Sequence, residues 1–165
     1  HMAGNLVFSG AITGSNLIMT ASTLNIGGNW VNNTTNVANF TRGTGTVGFT
    51  GSGNNTIGGL NINAGGYAFN NLMINKTSGS LTPGNAITVA NTLAVSGGTF
   101  SLNGNSLSIV NLSGTSSTAI LNNNSATNIT LTITDGGSNS FAGLIQNGST
   151  GTLSVVKSGT GTQQV

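Results

Sequence analysis

The feature that most constrains this chain is a recurring unit. A short apolar segment with period-2 alternation, bounded by Gly, Asn and Ser, returns every 20 to 24 residues. Examples are Leu24-Asn25-Ile26, Leu60-Asn61-Ile62, Ile87-Thr88-Val89, Leu107-Ser108-Ile109 and Leu153-Ser154-Val155. The longest, Ile129-Thr130-Leu131-Thr132-Ile133-Thr134, has one aliphatic and one threonine face. Such alternation reads as strand, and β-branched side chains suit a pleated, half-buried surface. No window carries a 3.6-residue apolar stripe with helix caps, so an all-β chain is expected.

The spacing says more than the strands do. One series of starts runs Leu24, Val47, Tyr67, Ile87, Leu107, Ile129 and Leu153, in steps of 23, 20, 20, 20, 22 and 24 residues. The clearest internal copy sets Gly84-Asn85-Ala86-Ile87-Thr88-Val89 against Gly104-Asn105-Ser106-Leu107-Ser108-Ile109 at a shift of 20. A neighbouring register through Leu72, Leu93 and Phe100 is nearly as good. A period in the low twenties, with strands and no helices, predicts a parallel β-solenoid. Seven to eight coils are expected, giving a rod about 35 Å long.

Composition agrees with stacking. Gly, Asn, Thr and Ser supply 97 of the 165 residues, and charged residues are Arg42, Lys76, Lys157 and Asp135 alone. Turns of a solenoid lie about 4.8 Å apart, so each residue sits over its own equivalent. Like charges in such a column repel, whereas Asn forms side-chain ladders and tolerates turn geometry. Inward positions are expected to hold Val, Ile, Leu and Phe, and outward ones Thr, Ser and Asn. Residues 3–165 read as one such domain, a fragment of a longer repetitive chain, preceded by a cloning scar at His1-Met2.

The same counts exclude several classes of function. There is no cysteine, hence no disulfide and no thiolate metal site. Strong phosphate-backbone binding draws on roughly 6–10 contacts, and three scattered cations cannot supply them, so no nucleic-acid partner is expected. No run nears the ~18 apolar residues of a membrane span, so no membrane insertion is expected either. Asp135-Gly136-Gly137 resembles the edge of a calcium repeat, but calcium takes six to eight oxygens and one Asp cannot provide them. A turn after the Ile129–Thr134 strand is the better reading. Glycoside hydrolysis ordinarily uses two carboxyl groups, and one is present. A Ser–Lys dyad through Lys76 or Lys157 is chemically conceivable, but with 19 serines proximity means little, and both lysines are expected at solvent-facing turns. Gly43-Thr44-Gly45-Thr46 and Gly159-Thr160-Gly161-Thr162 lack the Gly-Lys-Ser/Thr ending and the helix of a phosphate loop. No enzyme, cofactor or metal site is expected.

Phe40, Phe49, Phe69, Phe100 and Phe141 recur in the strand pattern and are expected to stack inside the coils. Trp30 either caps the core near one end or offers a stacking face to a sugar. It is the one candidate ligand contact. Thr130, Thr132 and Thr134 form a row like that of a water-ordering threonine face. The row is not sustained, since equivalent positions hold Ser108 and Ser154.

Ordered stretches of the chain resemble repeats of bacterial surface and secreted proteins of the adhesin and autotransporter-passenger type. From residue 24 to 109 these are Leu24 to Asn33, with its Gly28-Asn29-Trp30 core; Phe40 to Gly51, with Gly43-Thr44-Gly45-Thr46-Val47; Thr56-Ile57-Gly58-Gly59; and Phe69 to Lys76. The two Gly-Asn coils follow. Gly136 to Ile145 and Val155 to Thr162 are similar to passenger-associated repeats. There the pattern would continue into another strand, whereas this chain stops at Gln163-Gln164-Val165. The resemblance implies a right-handed parallel β-helix in an extracellular or cell-surface protein. It implies no ligand.

The resulting expectation is a non-catalytic stalk or fibre module, prone to axial self-association. Its partners would be neighbouring repeats of a parent chain or other copies of itself. The alternative is an adhesin module binding glycans or a host surface through a lateral face, with the irregular stretch Asn111 to Thr127 as its candidate insertion. Ice binding is a distant third.

Overall fold

The computed structural model describes residues 1–10, 17–34, 40–59 and 68–165. Among them every assigned strand pairing is parallel and no helix occurs. The chain is a β-solenoid, with strands in three stacks that each turn visits in the same order. The first stack holds β2 (Leu17–Ile18), β5 (Phe40–Thr41), β8 (Ala68–Phe69), β10 (Thr88–Val89), β12 (Leu107–Ile109), β15 (Ile129–Ile133) and β18 (Leu153–Lys157). The second holds β3 (Thr23–Ile26), β6 (Thr46–Gly51), the first halves of β9 (Asn71–Pro83) and β11 (Thr92–Ser101), β13 (Asn111–Ser113), β16 (Ser138–Ser140) and β19 (Thr162–Gln164). The third holds β1 (Leu6–Gly10), β4 (Trp30–Thr34), β7 (Asn55–Gly58), the second halves of β9 and β11, β14 (Ile120–Asn123) and β17 (Leu144–Asn147).

These stacks make about six turns, with a partial rung at each end, rather than seven to eight coils. The expected count took each apolar start as one coil, but the series crosses from one stack to another. Leu24 pairs Val47 in the second stack, while Ile129 pairs Leu153 in the first. Leu107 opposes Leu131, two residues beyond the expected Ile129. The rival register is right where it pairs Leu72 with Leu93, but Phe100 lies in the third stack, between Leu81 and Leu121. Six steps of about 4.8 Å span about 29 Å, shorter than first expected. Leu60-Asn61-Ile62 and Tyr67 lie outside the described residues.

The interior is a set of aliphatic and aromatic columns. Leu24, Val47, Leu72, Leu93 and Leu112 stack in one, and Ile26, Phe49, Ile74 and Val95 in the next. All but Leu24 are buried. Phe40, Phe49, Phe69, Phe100 and Phe141 are likewise inside. Each residue of an inner rung is therefore held on two sides by the turns below and above, and the outer positions of the same strands are left largely to Thr, Ser and Asn.

Candidate functional site

Among the described residues, three groups of chemistry-bearing side chains each join one turn to another. Trp30 is the candidate ligand contact of the sequence. Its exposure is 0%, and it meets Phe40 edge-on at 4.8 Å and Phe69 at 5.2 Å between ring centroids. Phe40 and Phe69 are themselves 6.0 Å apart. The three rings belong to successive turns, so the indole is part of the core of the early coils. Aromatic pairs at such distances add to burial. An enclosed indole presents no face to a sugar in solvent.

Lys76 is the residue that sequence reasoning misplaced. It was expected at a solvent-facing turn, yet it is 3% exposed and points into the coil. The cause is strand parity: Leu72, Ile74 and Lys76 occupy alternate, inward positions of β9. Room for the side chain comes from its stacked neighbours. Lys76 lies in register with Gly51 below, and a Cβ on Gly98 above would come within 2.8 Å of the Lys76 Cβ. Lys76 Nζ donates a hydrogen bond to Oδ1 of Asn55, itself buried on β7. Burial among apolar neighbours lowers the amine below its ordinary value of 10.5. Alternation along Asn71-Leu72-Met73-Ile74-Asn75-Lys76 was the signal that could have found it.

The third group forms a ladder along the corner between the first and second stacks. Asn91 Nδ2 donates to Asn71 Oδ1 at 2.9 Å, Asn111 Nδ2 to Asn91 Oδ1 at 3.2 Å, and Asn139 Nδ2 to Asn111 Oδ1 at 3.1 Å. At its lower end Asn71 Nδ2 reaches the Thr44 carbonyl at 3.2 Å. At its upper end Asn139 also donates to Asp135 Oδ2. Asp135, 1% exposed, pairs through Oδ1 with Lys157 Nζ at 2.8 Å, and the same amine donates to the carbonyls of Asp135 and Gly159 at 2.9 Å each. The hydrogen bond from Lys157 holds the carboxyl below its usual range. Burial pulls the other way, and Asn139 and the charge of Lys157 add to the lowering. So Lys157 is also no free turn lysine: it ties β18 to the turn after β15.

The remaining sequence candidates are architectural. Gly43 turns at φ +48°, and a Cβ there would sit 1.7 Å from the Met19 carbonyl oxygen. Gly159-Thr160-Gly161 packs directly over Asp135-Gly136-Gly137, since Cβ atoms on Gly159 and Gly161 would strike the carbonyls of Asp135 and Gly137 at 1.8 Å. Asn111 to Thr127 contributes β13 and β14 to a regular rung. Thr130 opposes Ser154 and Thr132 opposes Val156, so the threonine row stops after one turn. Among the described residues no three His, Cys, Asp or Glu gather as metal ligands, and no helix is long and apolar enough to cross a membrane. Comparisons with family models, with curated proteins and with solved structures return no match.

Proposed function

We propose that this chain is a non-catalytic stalk or fibre module of a large bacterial extracellular or surface protein, with a tendency to associate along its axis. The observation that carries this reading is the use made of its polar chemistry. Asp135, Lys157, the Asn71–Asn91–Asn111–Asn139 ladder and Lys76 all bond to neighbouring turns, which is work suited to a column that must keep its length. A charge-poor outer surface fits a spacer whose partners are further repeats of the same architecture or copies of itself. The bacterial and extracellular setting rests on the resemblance of residues 24–109 and 136–162 to adhesin and passenger repeats.

Tandem fusions of one, two and three copies test the reading. A stalk lengthens by a constant increment of about 34 Å per copy, seven strand spacings, in electron micrographs, and a glycan array stays blank. Saturable binding to a defined glycan would replace this reading with the lateral adhesin.

A further inference from the structure

Lys76 and Asn55 bring an amine and a carboxamide together out of solvent. Lys76 is 3% exposed and Asn55 9%, and Lys76 Nζ donates a hydrogen bond to Asn55 Oδ1. Backbone pairing fixes both residues. Asn55 opens β7 in register with the core residue Leu81 of the turn above, which turns its side chain inward. Lys76 has the inward parity of Leu72 and Ile74 on β9, and Gly51 and Gly98 in the adjoining turns leave the space its stem fills. The two groups are held against each other by the stacked turns.

The surroundings favour a reactive amine. Burial lowers Lys76 below its ordinary value of 10.5, so the unprotonated form is reached more easily. Asn55 Oδ1, a neutral oxygen, is the acceptor the amine meets among the described residues. Asp135, the only acidic side chain, is engaged by Lys157 and Asn139 and does not pin this amine in its charged form. A desolvated, unprotonated lysine is a nucleophile. The atom bonded to its hydrogen-bond acceptor is Asn55 Cγ, an acyl carbon. Holding the two in contact replaces a bimolecular encounter, and effective molarities reach about 10⁵–10⁸ M in well-oriented pairs.

We infer that Lys76 and Asn55 form a cross-linking site, in which the lysine amine and the asparagine carboxamide condense to an isopeptide bond that ties β9 to β7 of the preceding turn. The Nζ lone pair bonds to Cγ, Nζ gives up a proton to Nδ2, and the Cγ–Nδ2 bond breaks with release of ammonia. One amine and one carboxamide become one secondary amide and one ammonia, with no oxidant or co-reactant. The exposed fraction of Asn55 gives the ammonia a way out. With no carboxyl beside the pair to relay the proton, the step is slow. The freshly folded chain therefore keeps its free amine, and the bond accumulates with time, faster as pH rises toward the folded value of Lys76. Such a bond between turns forms equally in a stalk or in an adhesin, so it does not depend on the proposed function.

Intact mass and tryptic cleavage of the whole chain test this after incubation for days, folded, at about pH 10. Trypsin cuts after Arg42, Lys76 and Lys157, and both partners lie between the first two sites. The incubated parent chain, unfolded before digestion, should have lost about 17 Da, one ammonia. It should yield an uncut fragment 43–157, because an acylated Lys76 is no longer cleaved. Asn55→Ala should be cut in full after Lys76. Should that variant not fold, the parent chain incubated in guanidinium chloride at the same pH is the control, and it too should be cut in full. Asparagine followed by glycine, as at Asn103-Gly104, can also shed ammonia, so resistance to cleavage at Lys76 decides. Full cleavage after Lys76 in the incubated folded chain overturns the proposal. Resistance that appears equally in the unfolded chain or in Asn55→Ala does so as well.

Discussion

Two buried charges set how this column responds to pH, and they act in opposite windows. Lys76 has its folded value lowered below 10.5 by burial. Between that folded value and 10.5 the unfolded chain holds a proton that the folded chain has lost, so stability rises with pH across this window. Urea midpoints should climb toward pH 10.5 in the parent chain and be flat over the same range in Lys76→Met. The slope is the readout, because the variant also strips Asn55 Oδ1 of its donor, a loss of about 1–3 kcal/mol at any pH. Asp135 behaves the other way. Its folded value lies below its ordinary 3.8, so its contribution is present above pH 3.8 and is lost as pH falls through the folded value. Since Asp135 is the only acidic side chain, the acid limb of a melting curve from pH 7 to pH 2 should be its signature. Asp135→Asn should flatten that limb, as read by thermal melts at stepped pH.

At the scale of elements, the corners decide which residues are replaceable. Gly79, in the bend of β9, turns at φ +74°, and a Cβ there would lie 2.1 Å from the Gly53 carbonyl oxygen. Gly53 turns at φ +85° with open space around its missing side chain. Both alanine variants incur the left-handed strain of about 1–2 kcal/mol, but only Gly79→Ala also forces the turn below to move. Denaturant melts should therefore show Gly53→Ala mildly weakened and Gly79→Ala much more so. The same corners explain what could be read from sequence. Ile129–Ile133 is a strand by its alternation alone, and the burial of the five phenylalanines followed from theirs. The 20-residue spacing of Asn71, Asn91 and Asn111 was equally visible, and it marks a ladder. Coil number was harder to read because three short strands per turn look alike: nothing in Leu107-Ser108-Ile109 says that Leu131, rather than Ile129, lies above Leu107. Lys76 was misread because charge outweighed parity, when its glycine neighbours in the adjoining turns had made room for it.

For the molecule as a whole, stability is close to a sum over turns and the contacts between nearest turns. An inner rung is held from both sides, whereas an end rung has one neighbour. The core records this difference. Leu131 is 0% exposed, yet Val155, which occupies the same column one turn later, is 42% exposed. Free energies of local opening should accordingly form a gradient along the axis. Amide exchange followed by mass spectrometry should find the slowest peptides in β9 and β11, whose strands pair on both sides. It should find the fastest in β1, β17 and β18, in the outer rungs. Capping by a second copy would convert an end rung into an inner one. Raising the protein concentration should therefore slow exchange in β1, β17 and β18 together and leave β9 and β11 unchanged. Uniform exchange along the chain, independent of concentration, would mean that the turns open as a single cooperative unit and that the ends stay bare.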